Sequence, residues 1–281
     1  MPDPVSVPEM APGVTAGEAY EIRPLRSHEE LRACLALQRE TWGDAPGTLV
    51  PTPLLLVVQR IGGVAAGAFD AAGRLLGFVF GMTGIENGEV VHWSDMLAVR
   101  PELRDRGLGR RLKEYQYEEV ARIGARRIYW TYDPLVAKNA YLNIEVLGAR
   151  AAEYVPDMYG DTGSPMHAGI GTDRMIVAWD IAPRRPRRRE VDTAAVPLDP
   201  GGAAFDEPGG GALPPRVSIE IPADILAVRE RSPDEARRWR LSTRQAFQWA
   251  LANRYRIEHV VRDAGQGTAR YLLIRDAAEP R

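Results

Sequence analysis

Leu97-Ala98-Val99-Arg100-Pro101-Glu102-Leu103-Arg104-Asp105-Arg106-Gly107-Leu108-Gly109-Arg110-Arg111-Leu112 sets a β-strand, an arginine-flanked glycine turn and a helix start in immediate succession. A helix begins with backbone N–H groups that have no intrahelical acceptor and with the positive end of its dipole. An anion placed there meets donors the fold already owns. Gly107 and Gly109 carry no Cβ, so the backbone can approach that anion closely and either residue can take a positive φ. The stretch reads as an anion cradle, although a bare Arg-x-x-Gly-x-Gly also fits an ordinary strand-to-helix turn.

Working outward, residues 90–99 read as the strand that feeds the cradle, and apolar positions Leu108, Leu112, Tyr115, Val120 and Ile123 give a helix that Gly124 ends. Upstream, 20–24 reads as a strand. Ser27-x-x-Glu30 forms a capping box opening a helix that carries Leu31, Cys34 and Leu35 and reaches Trp42-Gly43. Residues 54–60 read as a short helix or turn, and strands at 64–69 and 75–83 flank the turn Asp70-Ala71-Ala72-Gly73. Downstream come a strand at 126–133, a short helix at 137–147 and strands at 149–155 and 174–181, the last two separated by a long glycine-containing loop. Residues 1–17, rich in Pro, Ala and Gly, read as a flexible tail.

Residues 183–215 break the pattern with Arg184-Arg185-Pro186-Arg187-Arg188-Arg189 and then an Ala, Gly and Pro tract, which reads as a linker. A small β-α-β-β unit is expected over 216–277. Its helix opens at Ser232-Pro233-Asp234-Glu235, an N-cap with proline at the first helical position, and runs to about Asn253. Arg237, Arg240 and Arg244 lie on one stripe of that helix and read as a solvated face.

The 281 residues suffice for one large domain or two modest ones. A formal net charge of −2 exerts no global pull on nucleic acid or anionic membranes, so any basic site must be local. One cysteine, Cys34, excludes an internal disulfide and suits a reducing compartment as core filler. No basic start with an apolar follow-on is seen, and no stretch nears the roughly 20 apolar residues of a membrane span. The cytoplasm is therefore the expected location, with no membrane partner.

The cradle Arg104-x-x-Gly107-x-Gly109, preceded by Val99-Arg100-Pro101 and followed by Arg110-Arg111-Leu112, resembles motif A of the GNAT superfamily of acyl-CoA-dependent N-acyltransferases. The element order over 20–181 is similar to that of the same superfamily. Leu37 to Gly43, Ser94 to Val99, Trp130 to Leu135 and Gly171 to Arg174 look like one subgroup of predicted GNAT acetyltransferases with its own C-terminal extension. The resemblance implies an α/β GNAT fold over 18–182: a central mixed, mostly antiparallel twisted sheet flanked by helices. It implies acetyl-CoA or another acyl-CoA as co-substrate and no metal. The implied reaction moves an acetyl or succinyl group directly from the thioester to the amine of a small acceptor, amino-acid-like in a looser association of relatives.

The resemblance also distributes roles. Backbone groups of Leu97 and Val99 fall to the pantetheine arm, and amides over Asp105, Arg106, Gly107, Leu108, Gly109 and Arg110 to the diphosphate, with Arg104, Arg106 and Arg110 neutralising charge. The tyrosine that serves as acid in many GNAT enzymes aligns with Ile144, which leaves Tyr141, one turn earlier, as the substitute. Asn139 and Asn143, at i and i+4, share a helical face and suit pantetheine and substrate amides, or capping and solvent. For a base, alternation places His92 and Ser94 on one strand face and Asp95 with Trp93 on the other. Asp95 within an apolar strand needs a partner or a site, His92 titrates near neutrality, and Ser94 would line the substrate. Asp133 closes its strand as a substrate contact or turn cap, Trp42 as pocket wall or core. Arg174, after the loop that includes Tyr159 to Gly163, would grip a carboxylate or join a salt bridge with Asp173.

Two other readings stand beside the enzyme. A catalytically degenerate acyl-CoA-binding or sensor module is permitted by Ile144. Nucleic-acid or protein binding would use Arg184 to Arg189 and the Arg237 stripe, against the near-zero net charge. A homodimer is left open.

Overall fold

The computed structural model describes residues 20–44, 47–160, 170–181, 191–202, 204–209, 212–263, 265 and 267–276. The expected tail 1–17, the loop part Asp161 to Gly163 and the cluster Arg184 to Arg189 lie outside the described residues. Two compact units form. One comprises the described residues of Met1–Asp44, Leu49–Gly84 and Ser94–Gly124; the other comprises those of Ala45–Thr48, Ile85–Trp93 and Ala125–Arg281. The division runs through β3 (Leu75–Glu86) and β4 (Glu89–Val99).

The first unit holds β1 (Tyr20–Pro24), α1 (His28–Trp42), α2 (Thr52–Arg60), β2 (Val64–Asp70), most of β3 (Leu75–Glu86), the second half of β4 (Glu89–Val99) and α3 (Leu108–Arg122). Local chemistry sets several boundaries. Ser27 Oγ accepts from the Glu30 N–H at 3.1 Å while Glu30 accepts from the Ser27 N–H at 3.3 Å, the reciprocal pair of a capping box. Asp70 Oδ1 accepts from the Ala72 and Arg74 amides and so closes the β2–β3 turn. Asn87 and Gly88, at φ 51° and 80°, join β3 to β4 in the positive-φ pair that two-residue hairpins favour. Leu31, Cys34 and Leu37 of α1 and Leu55 and Val58 of α2 pack with Phe78, Phe80 and Ala98 in one core, against which Met96 and Trp42 also rest. Burial pushes the Cys34 thiol up to about 12, in keeping with filler rather than reactivity.

The second unit holds β5 (Arg127–Tyr132), α4 (Ala137–Tyr141), β6 (Arg150–Val155), β7 (Arg174–Asp180), β8 (Val196–Pro197), β9 (Arg216–Pro222), α5 (Ile225–Arg231), α6 (Pro233–Ala252), β10 (Tyr255–Asp263) and β11 (Thr268–Arg275). The helix expected over 137–147 is α only to Tyr141 and continues as a π turn over Leu142–Val146. Phe247 of α6 stacks on Tyr154 of β6, with centroids 5.2 Å apart, and meets Tyr271 of β11 edge-on at 5.0 Å. The C-terminal strands and β5–β7 therefore share a core. The expected linker also contains structure: β8 pairs with β9, Leu198 and Asp199 are buried, and Asp199 Oδ1 accepts from the Glu220 N–H at 2.8 Å. A two-residue strand and a single buried carboxyl leave no periodic signal in an Ala, Gly and Pro tract, which is why the sequence conceals them.

Hydrogen bonding orders seven strands β1-β2-β3-β4-β5-β7-β6 and four strands β10-β11-β9-β8. The seven-stranded sheet is mixed, with β4 parallel to β5 and the β1–β2, β2–β3, β5–β7 and β6–β7 pairs antiparallel. The expected mixed, mostly antiparallel α/β sheet with flanking helices is thus present, and the element order from β1 to β7 is the expected one.

Gly77 permits a close approach within the first unit. A Cβ there would stand 2.8 Å from the Ala98 carbonyl oxygen and 3.2 Å from Leu112 Cδ1. Because the first of these is backbone, Gly77→Ala is expected to destabilise the protein by about 1–3 kcal/mol through overpacking. Chemical denaturation checks this; an unchanged midpoint would show that β3 and α3 have room to separate.

Candidate functional site

β4 determines the site. Its pairing with β5 covers only Val91, His92 and Trp93, opposite Arg127, Ile128 and Tyr129, although both strands continue. Beyond that point strict alternation fails. Ser94 accepts a hydrogen bond from Lys113 of α3, and Leu97 and Val99 lie against Gly109 of the same helix, whereas Met96 and Ala98 join the α1–α2 core. Residues 94 and 97 face one helix despite their odd spacing, so one extra residue is taken up between them, as in a β-bulge.

This changes the reading of the strand. Asp95 is exposed rather than buried, so the desolvation that made it costly does not arise. His92 is fully buried, which removes it from contact with a diffusing amine. Ser94 is buried, and its Oγ accepts from Lys113 Nζ at 2.6 Å.

The chain then turns through Pro101–Leu103 into α3. Asp105 and Gly107 both have positive φ, 66° and 85°. Gly107 is the α3 N-cap with no side-chain capping bond, and the first turn carries no acid. The first α3 bond in the helical series is Arg111 N–H to the Gly107 carbonyl, at 3.1 Å, so the Leu108, Gly109 and Arg110 amides precede it. Helices α1, α5 and α6 begin instead with Ser27, Asp224 and Ser232 side-chain caps. Arginines near a helix start oppose its dipole. Here Arg104, Arg106, Arg110 and Arg111 are all exposed around one; Arg104 Nε donates to the Val99 carbonyl at 3.2 Å, and Arg110 Nε to Glu114 at 2.8 Å. An anion at the amides would satisfy both the donors and the cations. At Gly109 a Cβ would make only ordinary contact, 3.8 Å from Leu97 and Val99, so the conformational demand lies at Gly107.

In the second unit, Tyr141 ends α4 exposed, with the Arg262 guanidinium 4.5 Å from its ring centroid. Ile144 is buried. Asn139 and Asn143 do not share a face: Asn139 is exposed, while Asn143 is buried and accepts from the Trp130 indole at 2.9 Å. The π turn, with Leu147 N–H bonded to the Leu142 carbonyl five residues back, replaces the α register on which that expectation rested. Trp42, in the first unit, packs edge-on to Phe78 as part of the core.

Asp133 fills its expected turn-cap role and adds a partner. Its Oδ1 accepts from the Leu135 N–H at 2.9 Å, and its Oδ2 from Arg240 Nη2 at 2.6 Å. Asp173, fully buried, accepts from the Tyr154 hydroxyl, the Arg244 guanidinium and the Asp157 N–H. Burial alone would raise the Asp173 carboxyl, but these donors hold it below its ordinary range. Arg174 is buried beside it and donates to the Asp173 carbonyl. Arg240 and Arg244 thus leave the expected solvated stripe; only Arg237, paired with Asp234, stays on it.

Lys113 carried no signal as an isolated lysine. Helical spacing from Gly109 to Gln116 and Val120 places it on the face toward β4, where it is 4% exposed. Among the described residues no helix is long and apolar enough to cross a membrane, and no three His, Cys, Asp or Glu side chains are grouped to hold a metal ion.

Solved structures of N-acetyltransferases are similar to this chain. The NatC complex bound to Gag peptide and CoA shows 15% identity over 57% of this chain and 98% of that chain, with a TM-score of 0.47. The ribosomal-protein-S18-alanine N-acetyltransferase from Escherichia coli shows 19% over 61% and 99%, with a TM-score of 0.45. An aminoglycoside 6'-N-acetyltransferase complexed with coenzyme A shows 18% over 59% and 99%, with a TM-score of 0.44. No family model and no curated protein matches the sequence.

Burial pushes the Lys113 ammonium down to about 7. An unfolded lysine keeps its proton to about pH 10.4, so between about pH 7 and 10 the unfolded chain binds more protons and stability rises with pH. Lys113→Met removes this titration. Its stability relative to the wild type is expected to be most favourable below about pH 7 and to fall steadily toward about pH 10. Melting temperatures of both proteins across that window check it; a pH-independent offset would mean that Lys113 keeps an ordinary proton affinity.

Proposed function

We propose that the chain transfers an acyl group from acyl-CoA to the amine of a small acceptor. One observation carries the reading: α3 begins at a left-handed glycine with no side-chain cap and no acid, amid exposed arginines, directly after a strand whose pairing with β5 has ended. A diphosphate suits those amides and guanidinia together. The cradle sequence and the element order support acyl-CoA as the source of that diphosphate. Leu97 and Val99, beside Gly109, would meet the pantetheine arm, and Arg104, Arg106 and Arg110 the phosphates.

Chemistry at the thioester needs little beyond placement and proton transfer. The neutral amine attacks the carbonyl carbon, the new C–N bond forms and the C–S bond breaks. The proton leaving nitrogen passes to a base and the thiolate takes one from an acid. In this reading the exposed Asp95 carboxylate, on the strand that leads to the cradle, serves as base. Acetyl or succinyl is the acyl group, and an amino-acid-like amine the acceptor. A second reading, an acyl-CoA-binding module without turnover, is favoured by the buried Ile144 at the position of the usual acid.

Acetyl-CoA is expected to raise the melting temperature of the wild type, and Gly107→Val to weaken coenzyme A binding at least about tenfold. Equal affinity in that variant would remove the cradle assignment. With an amine and amino-acid panel, thiol release is expected from the wild type, and Asp95→Asn should lower kcat by roughly 100-fold or more at unchanged KM for acyl-CoA. Stabilisation by acetyl-CoA without any thiol release would instead select the binding module.

A further inference from the structure

α3 turns a lysine inward. Lys113 stands one helical turn after Gly109, on the buried face that also carries Gln116 and Val120, and is 4% exposed. A leucine or methionine would fill that position without taking an amine out of water, so the choice of lysine calls for a polar reason. Its Nζ donates to Ser94 Oγ at 2.6 Å, and Ser94 is buried as well.

The position of that bond along β4 gives it a role. Ser94 is the first residue past the three that pair with β5, while β3 remains the hydrogen-bonded neighbour on the other side. A strand held along one edge can rotate about that edge, and the rotation sets where the N–H and C=O groups of the other edge point. Two contacts with α3 restrain it. Leu97 and Val99 lie beside Gly109, where a Cβ would stand 3.8 Å from each, and Ser94 is bound by Lys113 one turn further along the helix. Apolar contact is non-directional, whereas a hydrogen bond fixes direction as well as distance. The same helix supplies the uncapped amides at its start, so the freed strand edge and the anion cradle are referred to one rigid element.

We propose that Lys113 is a positioning residue: through Ser94 it fixes the rotation of β4 beyond Trp93, so that the freed edge meets the pantetheine arm of a coenzyme A whose diphosphate lies at the α3 start. The inference rests on the acyl-CoA reading of the cradle, though not on turnover. Ser94, Leu97, Val99, Gly109 and Lys113 all belong to the first unit.

The full-length protein, as wild type, Ser94→Ala, Lys113→Met and the double variant, is titrated calorimetrically with coenzyme A and with 3′-phosphoadenosine 5′-diphosphate, which is coenzyme A without its pantetheine arm. The wild type is expected to bind coenzyme A at least about tenfold more tightly than the fragment, and each single variant to reduce that ratio to about twofold or less. The loss should fall on coenzyme A, with the fragment held within about twofold of its wild-type affinity. The double variant should match Lys113→Met, because both changes remove one bond. Lys113→Met leaves no buried amine behind, so it serves where Ser94→Ala does not fold. A ratio that survives in the variants, equal weakening of both probes as a merely structural lysine would give, or losses that add in the double variant overturns the positioning role. A wild type that binds neither probe overturns the acyl-CoA reading and this inference with it; one that binds both probes equally overturns this inference alone. The expected losses without thiol release from acetyl-CoA count against acyl transfer alone.

Discussion

The end of β4–β5 pairing at Trp93 is the constraint on which the candidate site depends. A strand bonded on both sides has no backbone groups to offer a ligand, and strict alternation would have sent Ser94, Met96 and Ala98 to one face. The extra residue taken up after Ser94 instead directs Leu97 and Val99 toward α3 and Met96 and Ala98 toward the α1–α2 core. One strand thereby closes the core on one side and leads into the α3 start on the other. Gly107 completes the arrangement, since its φ of 85° is open to glycine at little cost and strained for most other residues.

Buried charge is the second recurring theme. Lys113 on Ser94, Arg240 on Asp133 and Arg244 on Asp173 each remove a polar head from water and return a hydrogen bond. Such pairs add little net stability over apolar packing, yet losing one partner leaves a charge stranded and is strongly destabilising. They fix geometry more than they add stability. In the second unit they tie α6 to the end of β5 and the start of β7, so the C-terminal segment supplies residues to the same network as Asp133 and Arg174.

Much of the fold was legible in local chemistry. The Ser27 and Ser232 caps, the Asp70 to Gly73 turn and the glycine before α3 each act within a few residues, and the elements they bound fall within a residue or two of expectation. The site was less legible. Asp95 looked buried because its neighbours are apolar, and the Arg237 stripe looked solvated because its helix is polar; both inferences depend on which face meets a partner. The first failed because Asp95 lies on an exposed part of β4, and carboxylates about 70 to 107 residues away in sequence changed the second.

The sequence by itself determined the order of strands and helices from β1 to β7, the helix caps and an anion-suited turn at Arg104 to Gly109, because propensity, capping and positive φ are properties of short segments. Tertiary structure alone decided that Arg240 and Arg244 turn inward, that Lys113 meets Ser94, that His92 is buried, and that Asp95 is exposed. Burial and pairing of a charged side chain depend on residues distant in sequence, and no local pattern of charge or hydropathy records whether water or a counter-charge will stand beside it.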